Sequence, residues 1–112
     1  MFVRIAINQV VSLHEVDDLG RLHVEVAGLD PRALESAVRH HRLGRVHDGS
    51  EIDLRVATLR QLAGDRDEQW LAAFTRMLDY AESKGWMTDG EYVRAHCVRI
   101  PALPGDAIAV NH

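Results

Sequence analysis

The chain has 112 residues, 46% of them hydrophobic and 27% charged, enough for one domain with a single core and unlike disordered or fibrous proteins. A net charge of −4 with no lysine/arginine block leaves nothing to neutralise a phosphate backbone, so nucleic acid is not an expected partner. The lone cysteine, Cys97, excludes an internal disulfide frame, and no paired Cys/His spacing supports a zinc finger or a thioredoxin-like motif.

At the N-terminus Val3, Ile5 and Ile7, then Val11 and Leu13 after an interruption at Gln9, alternate with less apolar neighbours, as in a strand with one buried face. After DDLG, Leu22, Val24 and Val26 repeat the pattern, and two such runs around an Asp/Gly turn predict a β-hairpin. Pairing Leu13 with Val24 and Val11 with Val26 keeps the apolar side chains together, whereas a one-residue slip sets Leu13 against Glu25. GLDPRALESAVRHHRLG then predicts a helix with Asp30 as N-cap, Pro31 in the first turn and Gly44 in the left-handed position past its end. Its buried stripe is Leu34, Ala37, Val38 and His41.

RVHDGSEIDL predicts a short hairpin around Asp48-Gly49. Val56, Leu59 and Leu62, at helical spacing before Gly64, give a helix of about two turns. The longest helix is expected from its N-cap Asp67 to Lys84, with Trp70, Phe74, Met77, Leu78 and Ala81 on one face and Gly85 ending it. After MTDGE, the run YVRAHCVRI alternates again as a last strand, with Val93, Ala95 and Cys97 inward and Tyr92, Arg94 and His96 on the other face. PALPGDAIAVNH, with two prolines close together, reads as a tail. The order β-β-α-β-β-α-α-β predicts an α+β fold: a mostly antiparallel sheet packed on one face by two or three helices. Residues 1–100 form the expected single domain and 101–112 a loosely ordered C-terminal tail.

The seven histidines are the main chemical signal. In the predicted hairpin register His14 stands opposite His23 with Glu25 nearby, a donor set of the kind that binds a divalent metal, although two rings on a solvated sheet face explain the same pattern. His40 and His41 point about 100° apart and lie at a helix C-terminus, where imidazolium answers the dipole. His41 is the one expected to face the sheet, as an acid or base with His47 or Asp53 as partner. Tyr92, Arg94 and His96, sharing one strand face, suit an anionic or aromatic small ligand, against the plainer reading of a solvated polar face. His96 and Cys97 project to opposite faces and are not a catalytic dyad. Trp70 and Trp86 read as packing residues around the long helix.

No nucleophile-elbow, zincin, P-loop or dinucleotide-binding motif occurs. The longest apolar runs are too short for a membrane helix, and MFVRIAINQVV lacks the basic segment and apolar core of a signal peptide, so a cytoplasmic protein with no membrane partner is expected. The functional expectation is a small-molecule-binding domain using histidine acid–base chemistry of the isomerase, cyclase or dehydratase kind, with no cofactor beyond the divalent metal. The alternative is a non-catalytic interaction module that forms a homodimer through the same sheet face or the long helix.

Overall fold

The computed structural model describes residues 1–101, so the expected tail lies, apart from Pro101, outside the described residues. The described chain is a mixed α+β structure of seven strands and three helices: β1 (Phe2–Ile5), β2 (Val11–His14), β3 (His23–Ala27), α1 (Pro31–His40), β4 (Gly44–Val46), β5 (Glu51–Arg55), α2 (Val56–Ala63), α3 (Glu68–Ser83), β6 (Met87–Thr88) and β7 (Tyr92–Ile100). The sheet order is β2-β1-β3-β7-β5-β4, with β6 pairing β7 separately. Most pairings are antiparallel, but β1–β3 and β3–β7 are parallel, so the sheet is mixed.

Two expectations at the N-terminus are corrected. The run read as one strand is two, because AINQV reverses the chain. Asn8 Oδ1 accepts from the Val10 N–H at 3.1 Å, Gln9 adopts φ +66°, and the Ala6 N–H donates to the Val10 carbonyl at 3.0 Å. The predicted Leu13–Val24 hairpin does not form, since β1 lies between β2 and β3 and pairs with both: Val3 is opposite Leu13 on one side and Val24 on the other. Alternation specifies which face is buried and leaves the partner open, so the apolar face survives while the topology changes.

The helices match their signals closely. Asp30 Oδ1 accepts from the Ala33 N–H and Asp67 Oδ1 from the Trp70 N–H, each at 2.8 Å, satisfying donors that the first helical turn leaves free. Gly85 (φ +78°) ends α3 in a Schellman arrangement, with the Trp86 N–H donating to the Ala81 carbonyl at 2.9 Å and the Gly85 N–H to that of Glu82 at 3.0 Å. In α1 the same motif puts Arg42, not Gly44, in the left-handed position (φ +52°), with the Leu43 N–H on the Val38 carbonyl at 2.9 Å. Gly44 instead opens β4, where its backbone runs against β5. Leu34, Ala37 and Val38 of α1, Leu59 of α2 and Phe74 of α3 join Val3, Ile5, Val24, Ile52, Leu54 and Val93 of the strands in one buried cluster. No helix among the described residues is long and apolar enough to cross a membrane.

Candidate functional site

Side chains of directly paired residues project to the same side of a sheet. The registers therefore line up His14 (β2), Phe2 (β1), His23 (β3), His96 (β7) and Glu51 (β5) in one row on the face opposite Val3, Val24 and Ala95. The His14 and His23 rings stack on the two sides of Phe2, with centroids 5.0 and 4.9 Å from it. Of the expected metal set, His23 and Glu25 come together, Nε2 to Oε2 at 3.1 Å. His14 is separated from them by the phenyl ring and instead has Nε2 2.7 Å from Ser12 Oγ. Nitrogen–zinc bonds of about 2 Å cannot span that ring, so these three residues do not converge on one ion.

The same face carries a second group around Asp53, which is 5% exposed and with Thr58 makes up the buried polar side chains of the described residues. Asp53 pairs with Arg94 of β7 and Arg45 of β4 in register, and its carboxylate accepts from Arg94 Nε at 3.2 Å and lies 3.6 Å from Arg45 Nε. Arg94 Nη2 donates to His47 Nδ1 at 3.1 Å, and Asp53 Oδ2 is 3.9 Å from the same nitrogen. A guanidinium has no acceptor, so Nδ1 holds the lone pair and a neutral His47 carries its proton on Nε2. The Arg45 guanidinium lies 4.4 Å from the Tyr92 ring centre, a cation–π contact. His47, Asp53, Tyr92 and Arg94 are thus brought into one cluster, with exposed His96 farther along β7.

His41 is not part of it. It is exposed rather than on the buried stripe, and its Nε2 donates to the Gln9 carbonyl at 2.8 Å, fastening the end of α1 to the β1–β2 turn. The β4–β5 loop beyond His47 is held by Asp48, whose Oδ1 accepts from Ser50 N–H and hydroxyl at 2.8 and 3.0 Å. Those bonds, the backbone one first, keep the Asp48 carboxyl below the ordinary carboxylate range. Burial pushes the Cys97 thiol above its ordinary value, with Arg99 pulling partly the other way.

A groove of about 540 Å³ opens where the neighbour of β7 changes along one edge. There β6 pairs with Tyr92 and Val93, while β3 begins pairing only at His96. Leu19 and Leu22 of the loop before β3, Met77 and Tyr80 of α3, and Trp86 and Val93 supply apolar walls, and Arg21 and Arg94 join them. Trp86 is 44% exposed and Tyr80 58%, their rings 6.0 Å apart. Trp70, by contrast, is buried and donates Nε1–H to the Val16 carbonyl at 2.8 Å, in keeping with a packing role. Sequence reasoning passed over Arg21, Arg45 and Tyr80, and it read Trp86, which is exposed along the groove, as a packing residue. The hairpin read around Asp48-Gly49 would set Arg45 opposite Ile52, and only the longer turn brings it to Asp53; the groove residues come from four separate stretches with no common spacing.

No family model matches the chain, and neither curated proteins nor solved structures contain a match to it.

Proposed function

We propose that the protein binds a small molecule with an apolar, ring-sized body and an acidic group, seated in the groove beside Trp86 with its acid toward Arg21. The observation that carries this reading is the combination of an apolar cleft of about 540 Å³ with Arg21 in its lining. That volume is within the range of small-ligand pockets, about 300–1,000 Å³. Guanidinium groups hold carboxylates and related anions through charge-assisted hydrogen bonds. The Arg94 guanidinium is held on the β5 side of β7, by Asp53 through Nε and by His47 through Nη2, so Arg21 is the cation left to meet the acid.

Binding is better supported than histidine acid–base catalysis. His41 is engaged with the Gln9 carbonyl, and His47 accepts from Arg94 instead of donating to Asp53, so neither is arranged as a carboxylate-oriented base. The test is a titration with 1-naphthoate and with neutral naphthalene-methanol, followed by chemical shifts at the Trp86 indole and Val93. Naphthoate is expected to bind more tightly, with Arg21→Ala weakening it by about tenfold, the cost of one charge-assisted bond. Equal affinity for the two probes, or shifts that bypass Trp86, would refute the proposal. The competing occupant is a second copy of the chain, and concentration-dependent sedimentation abolished by Trp86→Ala would establish that instead.

A further inference from the structure

We propose a divalent transition-metal site at the mouth of the β4–β5 hairpin, formed by His47, Asp48 and Glu51, with Asp53 behind the imidazole. One donor atom from each of the three residues lies within 4.8 Å of the others. The backbone holds them there: the His47 and Asp48 N–H groups both donate to the Glu51 carbonyl, at 3.0 and 3.2 Å. Bonds of about 2.0–2.2 Å to nitrogen and oxygen need these donors to close in by about an ångström, within the reach of side-chain rotation at an exposed loop.

The second observation is behind the ligands. His47 Nε2 becomes a ligand only when its proton moves to Nδ1, which then needs an acceptor in place of the Arg94 donor. Asp53 Oδ2 is 3.9 Å from that nitrogen, on a carboxylate whose side chain is 6% exposed and held in place by two arginines. A carboxylate that accepts from the far nitrogen of a metal-bound imidazole is the usual support for such a ligand. Loading the ion therefore switches the partner of Nδ1 from Arg94 to Asp53. One imidazole with two carboxylates selects zinc, cobalt or nickel over magnesium and calcium, which prefer all-oxygen shells. The site is on the polar sheet face and does not depend on the groove, and it is tested with no organic ligand present.

The experiment uses the full chain stripped with chelator, titrated with Zn²⁺ and separately with Mg²⁺ by calorimetry, and followed by long-range ¹H–¹⁵N spectra of the imidazoles. The expected result is one equivalent of zinc and no magnesium, with the His47 proton moving from Nε2 to Nδ1. His47→Ala and Glu51→Gln should each weaken zinc about tenfold or more, and Asp53→Asn should weaken it by a similar factor through the supporting bond. His14→Ala should leave it unchanged, and Arg94→Gln, which removes the competing donor and a positive charge, should tighten it. Absence of uptake at millimolar zinc, uptake indifferent to His47→Ala, or zinc-loaded His47 still protonated on Nε2 would each overturn the site. The last readout is made on the unmodified chain and stands even where a variant fails to fold.

Discussion

Gly44 illustrates how much one residue without a side chain can decide. At φ +144° it brings β4 so close to β5 that an added Cβ would overlap the Asp53 carbonyl oxygen, and a backbone atom in the centre of a strand cannot step aside. Gly44→Ala is expected to cost about 3 kcal/mol or more, read as a lowered urea midpoint with an unchanged slope. Asp53, on the same strand, has a different kind of importance. Replacing it by Ala removes hydrogen-bonded and ionic contacts to Arg94 and Arg45, and because Arg45 is 55% exposed and well solvated the expected loss is moderate, about 2 kcal/mol. Cys97 sets a pH dependence of known sign. Its thiol value is raised in the folded chain, so the folded state binds the proton more tightly than the unfolded one. Its contribution is complete below about pH 8.5 and is lost as pH rises through the raised value. The stability difference between the native chain and Cys97→Ala should shrink across that alkaline window, and thiol alkylation of the folded protein should lag that of the urea-unfolded chain.

At the scale of elements, the helices were legible because their signals are local. Asp30-Pro31 and Asp67 place a carboxylate three residues before an N–H it can reach, and Gly64 and Gly85 supply the left-handed residue that ends a turn. Asp30→Ala and Asp67→Ala are each expected to cost about 1 kcal/mol, additively because the caps belong to different helices, and a double-variant cycle in urea checks this. Strands were legible only as faces. The inward residues Val3, Leu13, Val24 and Val93 were marked by alternation, yet the break at Asn8-Gln9 lacks the Gly that usually announces a reversal. Gln9 adopts positive φ without being glycine, so Gln9→Gly is expected to stabilise the β1–β2 turn modestly, by up to about 1 kcal/mol, measured as a raised thermal midpoint.

For the whole molecule, β7 is the organising strand. It takes β3 and β6 along one edge and β5 along the other, and it ties distant parts of the chain together, Arg99 reaching the Leu29 carbonyl across 70 residues. Native-state hydrogen exchange is expected to be slowest at His96 and Cys97, where β7 has β3 on one edge and Glu51 or the Ser50 carbonyl on the other, and fastest at the edge strands β2 and β4. The two candidate sites both depend on this arrangement. The groove exists because β6 and β3 share an edge of β7 without meeting. The Asp53 cluster exists because β4, β5 and β7 bring Arg45, Asp53 and Arg94 side by side. By itself the sequence determined which stretches are helices, the aspartate caps that open α1 and α3, and which side of β1, β3 and β7 is buried, because these follow from periodicity and capping over a few neighbouring residues. Only the tertiary structure decided that β1 separates His14 from His23, that His41 faces out, and that Arg21, Tyr80, Trp86 and Arg94 meet around one cleft. Strand partners are chosen by the packing of the whole sheet, and no short-range pattern encodes that choice.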